Sequence, residues 1–131
     1  NRSIERNGLF RFCQDANITI LAYSPLAMGI LSGKYTSQNP PLGYRSAKYN
    51  QRYLEQIQPI LEKLRQVGTA HAGKTPSQVA LNWILCKGAI PIPGVKSIQQ
   101  AEQNIQASGW RLTQAEIDDL DNLSDQVQGI S

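Results

Sequence analysis

This 131-residue chain predicts an α/β fold with parallel strands, and three observations carry that reading. Two short strand-like runs, residues 18–23 and 89–92, are separated by helical patterns. Strands joined through helices imply right-handed crossovers and parallel pairing. Each run is followed by small or turn-forming residues: Tyr23-Ser24-Pro25-Leu26-Ala27-Met28-Gly29 after the first, and Pro93-Gly94-Val95-Lys96-Ser97 after the second. In α/β architecture the loops at the carboxyl ends of parallel strands converge on ligand.

Taken in order, residues 3–15 place Ile4, Leu9, Phe12 and Cys13 near helical spacing, with Gly8 weakening the pattern. Residues 18–23 are apolar and β-branched at the start, as a buried parallel strand requires. From Ser24 to about Lys48 no period emerges, and a structureless stretch of this length is more often functional than not. Helical pattern resumes over residues 50–72, with Leu54, Ile57, Leu61 and Leu64 on one face. Pro59 there marks either a kink or a first turn. Thr75-Pro76-Ser77-Gln78 has the form of a capping box with proline at the first helical position, opening an apolar helix that Gly88 stops. Ser97-Ile98-Gln99-Gln100 and Thr113-Gln114-Ala115-Glu116 repeat that logic for two more helices. Gly109 closes the first of these, and Ile117, Leu120 and Leu123 line the second. Two strands do not make a stable parallel sheet by themselves, so the chain needs neighbours it does not contain. Asn1, with helical pattern following almost at once, gives the same expectation of a piece of something longer.

Composition narrows the function classes. Apolar residues make up 40% of the chain, enough for a core, and the net charge of +3 is spread out. No basic helix face is interleaved with aromatics, which argues against a nucleic-acid partner. No apolar run approaches the roughly 18 residues that a membrane span needs. Cys13 and Cys86 lack metal-type spacing and read as buried free thiols, favouring a reducing compartment.

The second turn suits an anion. Gly94 lets backbone approach a ligand, the first N–H groups of the following helix point outward, Lys96 adds a charge and Ser97 a hydroxyl. The alternative is a plain strand-to-helix turn with a solvated lysine. The first turn carries the same ambiguity, tipped by its long loop, in which Lys34, Arg45, Tyr35, Tyr44 and Tyr49 suit closure over a phosphorylated ligand. His71 reads as a surface or capping residue. Glu116, Asp118, Asp119 and Asp121 read as a solvated helix face, and Trp83 and Trp110 as packing residues. No nucleophile–base pair and no metal cluster emerges.

Residues 23–35 (Tyr-Ser-Pro-Leu-Ala-Met-Gly-Ile-Leu-Ser-Gly-Lys-Tyr), and Ile-Pro-Gly-Val-Lys-Ser followed by Gln100, Glu102 and Asn104, resemble the C-terminal half of aldo-keto reductases. The similarity covers essentially the whole chain, including Ser77-Gln78-Val79-Ala80-Leu81-Asn82-Trp83. It implies the C-terminal portion of a (β/α)8 TIM barrel, roughly its last two strands and their helices, so that residues 1–131 are not a complete domain. Asn1-Arg2 resembles the tail of the family's segment after the sixth strand.

The resemblance also implies NADP as cofactor. Tyr23, Ser24, Pro25, Leu26, Ala27 and Met28 match the loop along the nicotinamide ribose and diphosphate. Lys34 and Arg45 match cations of the mobile covering loop. Gly94, Lys96 and Ser97 fall where relatives hold the 2′-phosphate, and Gln100, Gln103 and Asn104 lie at the adenosine end. Gln103 replaces a glutamate of many relatives and Gln100 an arginine of some branches, so 2′-phosphate binding leans on Lys96 and Ser97.

In this family a hydride passes to a small carbonyl substrate while a tyrosine donates the proton. That tyrosine and its lysine, aspartate and histidine companions lie in the first half of the barrel, so no catalytic residue is expected here. The implied partners are the rest of the barrel and an aldehyde or ketone. A regulatory subunit of the same fold and an inactive truncated product stand as alternatives. Cytosol and an organelle stroma both satisfy the thiol argument.

Overall fold

The structure, a computed structural model, describes residues 2–127; Asn1 lies outside them. Its helices are α1 (Ser3–Arg6), α2 (Leu9–Asp15), α3 (Tyr44–Lys48), α4 (Gln51–Gln56), α5 (Gln58–Ala70), α6 (Pro76–Cys86), α7 (Ile98–Ile105) and α8 (Gln114–Gln126). The strands are β1 (Ile20–Tyr23) and β2 (Ala89–Ile92), and a 3-10 turn spans Ala27–Ser32. The strands pair in parallel, with Ile20 opposite Ala89 and Tyr23 opposite Ile92.

Several boundaries differ from the sequence expectation. The single helix over residues 3–15 is two, broken at Gly8, whose φ of 82° is the left-handed conformation glycine adopts without cost. The first strand starts at Ile20, not Ile18. The long loop contains the 3-10 turn and α3, which have no periodic signal in their residues. The helix over residues 50–72 divides at Ile57, and Pro59 sits in the first turn of α5, where its missing N–H is harmless.

The core lies among the helices. Leu54, Ile57, Leu61 and Leu64 are fully buried, together with Ile30 from the 3-10 turn, Val79 and Leu81 from α6 and Leu120 from α8. Each such side chain stabilises the fold by about 2 kcal/mol relative to exposure. The sheet is covered less well. Leu21 is 59% exposed, Ile90 and Ile92 are about half exposed, and Phe12 of α2 is 63% exposed. Strands expected to be buried thus present apolar side chains outward, and the cysteines expected to be buried are only half-buried.

Two of the three expected capping boxes close. Thr75 Oγ1 accepts from the Gln78 N–H at 3.3 Å while Gln78 Oε1 accepts from the Thr75 N–H at 2.9 Å. Thr113 and Glu116 do the same at 3.2 and 2.8 Å. Gln78 also donates to the Gln103 carbonyl at 3.0 Å, joining the start of α6 to α7. Deeper in α6, Asn82 is 1% exposed and donates to the carbonyls of Ala107 and Trp110, at 2.9 and 2.8 Å. Its Oδ1 accepts from the Leu112 N–H at 3.1 Å.

The acidic face of α8 is only partly solvated. Asp121 accepts from Trp83 Nε1 at 2.9 Å and pairs with Lys87 at 2.6 Å and Arg2 at 3.0 Å. Lys87 and Arg2 also hold Glu5, each at 2.9 Å. Glu116 binds His71 Nε2 at 2.9 Å, and the His71 ring lies 4.9 Å from that of Trp110. His71 takes the capping role of the two expected for it, as the C-cap of α5, and its ring also ties that end to the start of α8.

These contacts set a pH dependence. Burial opposes ionisation of Glu5, but hydrogen bonds from Arg2 and Lys87 outweigh it and hold its carboxyl below the ordinary 4.5. Burial is likewise outweighed at Glu116 by bonds from Thr113 and His71. A carboxylate with a depressed folded pKa contributes stability that is complete above its unfolded pKa and lost as pH falls through the folded one. Urea midpoints should hold level from pH 7 to about pH 5 and fall below that. Glu5→Gln should lower the plateau and flatten part of the decline, and an unchanged profile would contradict the assignment.

Candidate functional site

The strand register decides the geometry of the site. With Tyr23 opposite Ile92, the segments beginning at Ser24 and Pro93 leave the same end of the sheet side by side. Neighbouring strands run about 4.8 Å apart, so the two turns start within one ligand's reach.

The first turn is built against conformational preference. Ser24, Ala27 and Met28 have φ of 50°, 48° and 56°, all left-handed, at a cost of about 1 kcal/mol each for residues with a side chain. No residue type there announces this, and it is the feature sequence reasoning missed. The turn is held by the Gly29 N–H to the Leu26 carbonyl at 2.9 Å, the Leu31 N–H to the same carbonyl at 3.2 Å, and Ser32 Oγ to the Gly29 carbonyl at 2.6 Å. Backbone strain of this kind clusters where chains meet ligands. Leu26, Ala27 and Met28 pack against the core and Pro25 is half-buried, whereas Tyr23, at 84%, and Ser24 are exposed. What the turn offers a ligand is therefore backbone, a hydroxyl and an aromatic ring.

Two of the loop's cations approach Tyr35, and Arg45 also lies 6.0 Å from the Tyr44 ring centroid. Lys34 Nζ lies 4.7 Å from the Tyr35 ring centroid, and Arg45 donates to the Tyr35 hydroxyl at 3.5 Å. Tyr44 is exposed, but Tyr49 belongs to the core, against Tyr53 at 5.2 Å between ring centroids. Burial and that neighbour push the Tyr53 phenol up to about 12. Tyr49 is thus not available to a closing loop.

At the second turn Gly94 has no left-handed φ, and a Cβ there would meet nothing within 4 Å. Neither strain nor packing within the chain accounts for the glycine; what it leaves is open backbone beside an exposed Lys96. Ser97 caps α7, accepting from the Gln100 N–H at 3.2 Å. The third capping box is only half made, because Gln100 Oε1 accepts from the Lys96 N–H, at 2.8 Å, instead of from that of Ser97. Gln103 is exposed on α7 with its carbonyl taken by Gln78, so its side chain is free of that contact. Asn104 is half-buried and, with Leu81, Leu85, Pro91, Pro93 and Ile105, lines a groove of about 220 Å³ between α6, β2 and α7. Gly94, Lys96, Ser97 and Gln100 are exposed on the segment that leaves the strand end where Ser24 also emerges.

Among the described residues no cluster of three histidine, cysteine or acidic side chains is placed to hold a metal ion. Nor is any helix there long and apolar enough to cross a membrane.

A model of the Aldo/keto reductase family matches residues 2–125 of the chain. The chain belongs to this family. A relative named chloroplastic pyridoxal reductase, from Arabidopsis thaliana, is 44% identical over 104 residues, covering 79% of this chain and 28% of its own length. Another, an aldo-keto reductase of Schizosaccharomyces pombe whose name specifies NADP(+), is 30% identical over 129 residues, covering 94% of this chain and 38% of its own. The chain thus spans well under half the length of these aldo-keto reductases. The fold is similar to that of a glycerol dehydrogenase from Gluconobacter oxydans, with a TM-score of 0.84 and 22% identity over 100% of this chain and 42% of that one. Its two parallel strands and their helices are part of the aldo-keto reductase TIM barrel.

Proposed function

We propose that this chain is the cofactor-binding portion of an NADP-dependent aldo-keto reductase, whose full-length form transfers a hydride between NADPH and a small aldehyde or ketone. One observation carries the reading: the register Tyr23–Ile92, which brings the strained turn at Ser24–Met28 and the open turn at Gly94–Ser97 to one end of the sheet. A dinucleotide is long enough to use both.

The residues present fit that ligand. Tyr23, Ser24 and the backbone of Pro25, Leu26, Ala27 and Met28 run along the nicotinamide ribose and diphosphate. Lys34 and Arg45 offset the diphosphate charge. Lys96, Ser97 and the open backbone at Gly94 take the 2′-phosphate at the start of α7, where N–H groups and the helix dipole favour an anion. Gln100, Gln103 and Asn104 receive the adenosine. The nicotinamide, once bound, supplies the hydride. This chain binds and orients it, and the proton donor comes from the remainder of the barrel.

That remainder is the partner of the exposed apolar surface of β1, β2 and α2. Its strands pair with the open sheet edges and cover Phe12, Leu21, Ile90 and Ile92. The carbonyl class agrees with the Arabidopsis relative, named for pyridoxal, itself an aldehyde. Two free thiols fit cytosol or an organelle stroma.

Titration of the full-length protein with NADPH and NADH tests the reading. Lys96→Ala should weaken NADPH by about tenfold or more, the worth of a charge-assisted contact. NADH, lacking the 2′-phosphate, should bind the variant as before. NADPH affinity unaltered by Lys96→Ala would refute the phosphate assignment.

A further inference from the structure

We propose that Tyr35 is a positioning residue that fastens Lys34 and Arg45 to the core, so that the two cations meet the cofactor's phosphates as a pair. The inference rests on the dinucleotide reading above and adds to it a residue that does not itself touch the ligand.

Three contacts converge on this side chain. Its ring packs against the buried cluster, so it is fixed from within. Its face carries the Lys34 ammonium at 4.7 Å, and Lys34 in turn lies across the first turn, where a Cβ on Gly29 would come 3.3 Å from Lys34 Cε and 3.8 Å from Tyr35 Cε2. Its hydroxyl accepts from Arg45 at 3.5 Å, across ten residues of loop. The phenol is held below its usual range by hydrogen bonding first to Lys34 and then to Arg45, as expected of an oxygen acting as acceptor for cations. One anchored ring thus links the turn after β1, the loop lysine and the loop arginine. Ordering a long arginine only at binding would subtract from affinity, and an existing tie removes that loss.

A double-mutant cycle in the full-length protein, read as the NADPH dissociation constant, tests this. Tyr35→Phe keeps the ring face under Lys34 but loses the hydroxyl that both cations approach. It should weaken NADPH about fivefold, the worth of one hydrogen bond. Arg45→Ala should weaken it by more, and Tyr35→Phe should cost less in that background than in the wild type, because part of the hydroxyl's effect runs through Arg45. Tyr35→Leu, losing both contacts, should exceed Tyr35→Phe. A Tyr35→Phe variant that binds like the wild type while Arg45→Ala is impaired would overturn the inference and leave the cofactor reading standing, and so would losses that simply add. If neither Lys34→Ala nor Arg45→Ala weakens binding, the reading of the loop as a phosphate cover fails, and the role of Tyr35 with it.

Discussion

Replacing Asn82 by alanine should destabilise the full-length protein by about 4 kcal/mol and also weaken its hold on NADPH. Asn82 is a fully buried polar side chain whose amide donates to the carbonyls of Ala107 and Trp110 and whose oxygen accepts from the Leu112 N–H. Those three partners lie in the segment that leads from α7 to α8. Truncation leaves all three backbone groups short of a partner in a site that excludes water, and each unmade bond costs about 1–3 kcal/mol. Asn82→Asp is the informative control. It keeps the shape and can still accept from Leu112, but it turns a carboxylate oxygen toward two carbonyls. It should therefore be as damaging as alanine, and urea denaturation measures both. The effect on cofactor follows because the same segment fixes the far end of α7, whose N-cap is Ser97, next to Lys96. Small losses in both variants would mean that the 107–112 segment is held by other contacts.

The second large effect is expected at Gly68. Glycine to alanine inside a helix ordinarily stabilises by about 0.5–1 kcal/mol. Here the sign should reverse. Gly68 is buried in the last turns of α5, and the chain turns back over it so closely that the Lys74 N–H donates to the Gly68 carbonyl at 2.9 Å. A methyl group at this position would collide with the backbone carbonyl of Lys74. Backbone cannot yield as a flexible side chain does, so α5 and α6 must separate, at about 3 kcal/mol or more. Gly94→Ala is the matched comparison, since a Cβ there meets nothing. Thermal unfolding should single out Gly68→Ala and leave Gly94→Ala near the wild type; the opposite order would contradict the packing described.

The sequence made the local part of this fold legible. Thr75 with Gln78 and Thr113 with Glu116 are complete capping boxes within four residues, and both form. The leucine and isoleucine stripe of α4 and α5 is likewise a short-range pattern and identified core residues correctly. Parallel pairing followed from strands separated by helices. What escaped was set by distance or by context. Asp121 meets Arg2 across 119 residues, and Glu116 meets His71 across 45, so the acidic face of α8 could not be known as an anchor from spacing alone. The left-handed Ser24, Ala27 and Met28 are residue types with no preference for that conformation, so nothing in the sequence marks the turn. Gln100 bonds one residue earlier than its capping box requires, a shift of a single N–H that no motif encodes.

For the site, residue types located both turns but did not reveal that Tyr35 lies between the two loop cations. The two-turn arrangement is tested most directly by the structure of the full-length protein crystallised with NADPH. One dinucleotide should lie with its diphosphate along residues 24–29 and its 2′-phosphate within hydrogen-bond distance of Lys96 and Ser97. A cofactor that touches only one of the two turns, or binds at the opposite end of the strands, would contradict the account.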